Sequence, residues 1–362
     1  MRKIKDKQSE HMIRQGNKQS GFTLVEMMIA AAIGAVLLGG MISVFLGNKK
    51  TADLNEAMVE MQQSARFALD VLARDIRMSG FQGCVDLETS TANALADSRP
   101  TDNLAATAIM GAVVAGNDIN PAGPIGFTLP AGGSITPIQG SDVLTVQFGS
   151  QETFVVDPMA SASAPVVVQT TNPGISNGDL VLISNCQVAD IFEVSEALNN
   201  SLKHDGTVNS GKNELSAAYG VVGEENRPRA MRFESNVYYI ADTGRTNSAG
   251  DTVRSLFKQS LPYTSNPVEV IEGVELLELR FGLRGDETAD ITFVKPEDLG
   301  TQSDQIISVQ IGLLMQSHDR VRDENDTKSY LLAGNIVNST AHAGDRRLRM
   351  PFNSTVKVRN RQ

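Results

Sequence analysis

The sequence predicts an α+β fold: one long N-terminal helix followed by a body of predominantly antiparallel β-sheet. Three observations lead there. An apolar run without proline covers Phe22–Leu46, a helical stripe of apolar residues continues to Ile76, and the chain beyond Val143 breaks into short strand-like segments separated by turns.

The apolar run is 25 residues long and its one charge is Glu26. About 20 apolar residues span a bilayer core, so residues 22–46 are read as a transmembrane helix. A secretory signal peptide has a shorter apolar region followed by a small-residue cleavage site. Here Ala30, Ala31 and Ala32 lie inside the run, which flows into more helix. Residues 1–21 hold six basic and two acidic side chains, a net +4, so the chain total of −10 leaves −14 beyond Gly21. Basic residues ahead of the run place 1–21 in the cytoplasm and export the rest. The anionic exported body disfavours nucleic acid and anionic lipid headgroups as partners.

The next element is justified by spacing. Leu54, Met58, Met61, Ala65, Leu69, Leu72 and Ile76 recur at steps of three and four, which puts them on one helical face. Residues 47–83 are therefore an amphipathic continuation of the helix, stopped by Gly80 and Gly83. Residues 84–362 form the β-rich head, with a loop-rich segment at 89–141 that is high in Ala, Thr, Gly, Asn and Pro. Strands are expected at Val143–Phe148, Thr153–Val156, Val166–Gln169, Leu180–Ile183, Ile191–Val194, Val237–Ile240, Leu276–Leu283 and Ile306–Met315. In Glu275–Phe281 the residues Leu277, Leu279 and Phe281 alternate with Leu276, Glu278 and Arg280, the pattern of a half-buried strand.

Cys84 and Cys186 form no C-x-x-C pair. On the exported side of a membrane two such cysteines read as one disulfide, the alternative being two buried free thiols. The four histidines, His11, His204, His318 and His342, are far apart, and no metalloprotease, nucleophile-elbow or phosphate-loop pattern is present. The chain is read as a non-enzyme with no cofactor, no metal and no small-molecule substrate. The acidic cluster Asp319, Asp323, Glu324 and Asp326 offers oxygen ligands of the kind calcium takes, but it reads as a solvated turn, since its spacing does not follow an EF-hand loop. Arg346, Arg347, Arg349, Lys357, Arg359 and Arg361 read as basic residues on an edge strand, where such charges discourage aggregation.

Gly21-Phe22-Thr23-Leu24-Val25-Glu26-Met27-Met28-Ile29-Ala30 resembles the prepilin peptidase motif of type IV pilins and type II secretion pseudopilins. Ser20 stands where that family often has Lys or Arg. Gln63–Leu69, Ala73–Phe81, Asp142–Val146, Ile271–Glu275, Ser308–Leu314 and the Arg346–Arg361 tail resemble successive segments of PilW proteins. The resemblance implies a pilin-like fold, with the long helix packed on the sheet of the head. It implies cleavage after Gly21, N-methylation of Phe22, and an assembly salt bridge from Glu26 to the freed amine of a neighbouring subunit. It also implies a minor pilin that takes part in initiating the pilus and enters at or near its tip, supporting adhesion, twitching motility or DNA uptake indirectly. Implied partners are other minor pilins, the major pilin, the prepilin peptidase, the inner-membrane assembly platform and a large tip adhesin. Implied location is the inner membrane with a periplasmic head, then the pilus. The competing readings are a type II secretion minor pseudopilin of the J type, a DNA-uptake receptor pilin, and a signal-anchored periplasmic enzyme.

Overall fold

In the computed structural model, helix α1 spans Leu24–Met78. The structure describes residues 21–87, 90–96, 104–115, 135–220, 227–260, 266–285, 290–340, 342 and 344–361. The basic leader with His11, and the middle of the expected loop at 89–141, lie outside them. The chain divides into two compact units, residues 1–53 and 54–362. In the first, the α1 side chains are exposed along almost their whole length, Phe22 at 86% and Val36 at 76%.

In the second unit the same helix has a buried face. Met61, Ala65, Ala68, Leu72 and Ile76 are buried, while Met58 and Leu69 of the expected stripe are only partly so. Alanines at 65 and 68 let the helix backbone come close to the sheet, and each buried Leu or Ile contributes about 1.5–3 kcal/mol. The helix ends as its glycines foretold. Gly80 takes a left-handed φ of +73°, and a Cβ there would lie 2.6 Å from Leu87 Cδ2, so only glycine fits this stop.

The first sheet is built around one 18-residue strand. It contains β1 (Ile109–Val113), β2 (Asp142–Val155), β3 (Leu180–Ser184), β4 (Ala189–Glu193), β5 (Arg229–Thr246), β6 (Thr252–Ser260) and β7 (Val268–Glu272). Strand β5 is antiparallel to β2, β3 and β6, changing its neighbour along its length. Both faces are covered. Leu144, Val146, Tyr238 and Ile240 face the helix, and Val143, Val237, Tyr239 and Ala241 form a separate cluster, as a period of two requires. Because neither face is wet, β5 and β6 read as mixed runs, and only part of β5 was expected. The two expected strands at 143–148 and 153–156 are one continuous strand, β2. A third cluster, with Phe154, Phe192 and Tyr219, underlies a small three-stranded sheet formed by 166–167, 196–198 and 201–203.

The second sheet runs in the order β9 (Ile291–Val294), β8 (Val274–Arg284), β10 (Ile306–Arg320), β13 (Arg347–Lys357), all antiparallel. Leu277, Leu279 and Phe281 point into the core shared with α1, as their alternation predicts. The outer face is strapped by the hairpin β11 (Tyr330–Leu332) and β12 (Asn335–Val337). Gly312 makes room for this strap, since a Cβ there would be 2.6 Å from the Ala333 amide nitrogen. Arg280 and Glu278 are both held by the Asn335 side chain. The tail is the edge strand that its alternation suggested, and Pro351, which has no N–H to give, is tolerated there.

Candidate processing and assembly site

The helix start carries its own polar closure. The backbone N–H and the hydroxyl of Thr23 both donate to Glu26 Oε2, at 2.9 and 3.0 Å, and the Glu26 N–H donates back to Thr23 Oγ1 at 3.3 Å. This is a capping box, in which two otherwise unpaired donors of the first turn are satisfied reciprocally. The T-x-x-E spacing of Thr23 and Glu26 was the signal for it, and the sequence reading passed over it. Gly21 and Phe22 precede the helix and are exposed, so the expected scissile bond is presented rather than packed. Among the described residues, α1 is the helix long and apolar enough to cross a membrane.

At the other end of α1, polar contacts fix the helix to the first sheet. Asp75 Oδ2, on the buried face, accepts from the Tyr238 hydroxyl at 2.5 Å and from Asn236 at 2.9 Å, and Lys258 lies 3.7 Å away. Burial, then the neighbouring Asp75 charge, raise the Tyr238 phenol well above its ordinary value, so it stays a donor. Asn360 donates to the carbonyls of Met78 and Ser79, 3.2 and 3.0 Å away. The C-terminal tail thus caps the last turn of α1. Arg361 donates to the carbonyls of Ser303, Ile306 and Ala105.

Cys84 and Cys186 are joined as a disulfide with a Cα–Cα distance of 4.6 Å. The bond links the segment after α1 to the turn between β3 and β4. This turn is shaped by Asn185, whose side chain accepts from the amides of Gln187 and Val188.

The basic tail needs a correction. Arg347 and Arg349 are 5% and 3% exposed, so they are not solvated edge charges. Arg349 donates to both Glu275 oxygens at 2.5 and 3.1 Å and to Asp345 at 2.9 Å. Arg347 donates to Asp345 at 2.7 Å. Burial works against the Arg349 charge, yet its bonds to Glu275 and Asp345 raise its pKa. Burial likewise opposes ionisation of Asp345, but the Arg347 N–H and the Arg349 guanidinium hold it at about 2.

The acidic cluster at 319–326 is dispersed by the fold, and its last member is not the solvated residue expected. Asp326 is buried and engaged by Arg322 at 3.1 Å and the Tyr330 hydroxyl at 2.6 Å, while Asp319 accepts from Ser248. The histidines stay apart. His204 bonds the Ala164 carbonyl, His318 bonds Glu272, and His342 bonds the Lys328 carbonyl. Among the described residues no three His, Cys, Asp or Glu side chains are placed to hold a metal ion.

Residues 16–42 match the prokaryotic N-terminal methylation motif, and residues 237–360 match the family of the type IV pilus-assembly protein W. Searches of curated proteins and of solved structures each returned no match. The first match covers Gly21, Phe22, Thr23 and Glu26. The second runs from the Tyr238 contact with the helix to the Asn360 cap, and takes in the whole second sheet. The matched assembly family is a pilus family and not an enzyme family. With a methylation motif at the head of its long apolar helix and a pilus-assembly W segment gripping that helix's far end, the chain matches a PilW-type pilin.

Proposed function

We propose that this chain is a minor pilin that takes part in initiating type IV pilus assembly and is incorporated at or near the pilus tip. Residues 1–21 are the cytoplasmic leader, cut after Gly21 by a prepilin peptidase, and Phe22 becomes the methylated N-terminus. Residues 22–46 hold the chain in the inner membrane and later lie in the filament core. Residues 47–83 carry the helix on to the periplasmic head of residues 84–362. Neighbours in the assembly are other minor pilins, the major pilin, the assembly platform and a large tip adhesin.

The observation that carries this reading is the helix start. An exposed Gly21–Phe22 junction leads into a helix whose apolar side chains from Phe22 to Leu46 stay largely exposed among the described residues, with a carboxylate in its first turn. Such a surface is stable only in lipid or against other apolar helices. N-terminal mass spectrometry of the protein from sheared pili tests the reading, with methyl-Phe22 as the expected first residue. A protein that retains Met1, or that is absent from pili and found only with a secretion apparatus, would overturn it.

A further inference from the structure

The Cys84–Cys186 bond is not enclosed in the core. Cys84 is exposed and Cys186 is half-buried, and both line a cavity of about 490 Å³. Phe81, Met231, Arg227 and Arg229 also line it. Arg229 donates to the Thr153 hydroxyl at 3.2 Å, and neither arginine is within ion-pair distance of a carboxylate among the described residues. Many arginines elsewhere in this acidic body do meet an Asp or Glu, among them Arg232, Arg245, Arg254, Arg320, Arg322, Arg347 and Arg349. Two guanidinium groups with no ion-pair partner among the described residues, a partly apolar lining and an accessible disulfide thus share one cavity. Its size falls in the range of small-molecule sites.

We propose that this cavity is a modification site: it docks a carboxylate-bearing thiol of small-peptide size, and the disulfide exchanges with that thiol. Arg227 and Arg229 bind the carboxylates, as planar guanidinium groups do, and raise the local concentration of the anionic reagent. The reagent's thiolate attacks the Sγ of Cys84, the more exposed of the two cysteines. A new S–S bond forms to Cys84, the Cys84–Cys186 bond breaks, and Cys186 leaves as a thiolate that takes up a proton. A second thiol can attack the mixed disulfide, which releases Cys84 as a thiol and the oxidised reagent pair. Two electrons pass from two reagent thiols to the protein disulfide. The outcome is the release of the segment following α1 from the β3–β4 turn, with Cys84 carrying the reagent in the intermediate state.

The test uses the full chain in detergent and three thiols of different charge: reduced glutathione, 2-mercaptoethanol and cysteamine. Rates are compared per unit of thiolate, and the adduct is located by peptide mapping. Glutathione should react about tenfold faster than cysteamine, an advantage of the size that electrostatic steering gives. The mixed disulfide should map to Cys84. The advantage should shrink in Arg227→Gln, whose side chain has no hydrogen bond or ion pair among the described residues, vanish in Arg227→Gln/Arg229→Gln, and fade in 1 M salt. Rates that follow thiolate nucleophilicity alone in the wild type would overturn the proposal. So would an adduct on Cys186, or exchange that begins only where circular dichroism shows unfolding.

Discussion

The Arg349 guanidinium and the Glu275 carboxylate, both with fully buried side chains, meet through two hydrogen bonds of 2.5 and 3.1 Å across the intervening strand β10. They lie 74 residues apart in the chain and fasten the edge strand β13 to β8. Arg254, at 3.5 Å from Glu275, is the nearest substitute cation. Arg349→Ala should therefore leave a buried carboxylate poorly compensated and destabilise the head by about 3–5 kcal/mol. Arg349→Lys should recover little of this, because an ammonium cannot make the paired contact. Urea denaturation of the two variants checks both statements. A loss below about 1 kcal/mol, the range of exposed pairs, would show that the pair is not buried as described.

That pair also shows where the sequence stopped being legible. Alternation of the basic residues between Arg346 and Arg361 was enough to suggest an edge strand in the tail, which the structure places at 347–357, since period two is a local property. It could not say what lay opposite the basic positions, because Glu275, Asp326 and Asp345 come together only through the strand order. The same limit applies to Asp75. Its neighbours in the helical stripe were read as apolar packing, but an acid on the buried face is explained only once Tyr238 and Asn236 arrive from β5. Strands β6 and β7 were missed because polar residues on both faces break the pattern that marks a half-buried strand. By contrast, the helix, its glycine stop and the cysteine pairing were carried by short motifs and by counting, which need no knowledge of tertiary contacts.

Asp142 gives the head a pH dependence. Its carboxylate is buried, and Oδ2 accepts from the Leu279 N–H at 2.6 Å. Burial, together with the charge of Glu278, pushes its pKa up to about 8, with a smaller push from Glu297 and an opposing pull from Lys295. The native state thus keeps a proton that the unfolded chain releases near 3.8. Stability from this group is complete below 3.8, falls as pH rises toward about 8, and is level above that. Asp142→Asn should remove that slope and leave the head more stable than wild type at pH 8. Thermal unfolding of both proteins from pH 5 to 8.5 decides it, and parallel curves would refute the assignment to Asp142.

Asp345 supplies an opposite slope at the acid end. Its pKa is lowered to about 2, so its contribution is present above 3.8 and lost as pH falls from there toward 2. Asp345→Asn should flatten the acid limb of the stability curve without changing the limb between pH 5 and 8. If the acid limb is unchanged in the variant, the Arg347 and Arg349 contacts do not set it.

The disulfide should be the largest single covalent contribution to the head. It closes a loop with a sequence separation of 102, worth about 4–5 kcal/mol in the chain-entropy account. Cys84→Ser/Cys186→Ser should lower the urea midpoint accordingly. Non-reducing peptide mapping of the exported protein should recover Cys84 and Cys186 in one linked pair. Recovery of both as free thiols would remove this contribution, and the cavity chemistry with it.

Glu26 makes one contact within the chain and is proposed to make another between chains, and one variant separates the two. Within the chain it closes the capping box with Thr23. Between chains, in the proposed assembly, its charge pairs with the freed amine of Phe22 in a neighbouring subunit. Glutamine satisfies a capping box as glutamate does, but it carries no charge. Glu26→Gln should therefore keep the helix start intact and still enter the filament poorly, as Glu26→Ala should, because an ammonium in an apolar surrounding loses its counter-charge. Glu26→Asp, with the charge kept on a shorter arm, should fall between these and wild type. Leader cleavage and membrane insertion should be near normal in all three, since the apolar run is unchanged. Comparing processed protein in membranes with protein in sheared pili gives the answer. If Glu26→Gln assembles as well as wild type while Glu26→Ala does not, the residue acts through its cap alone and the intersubunit salt bridge must be given up.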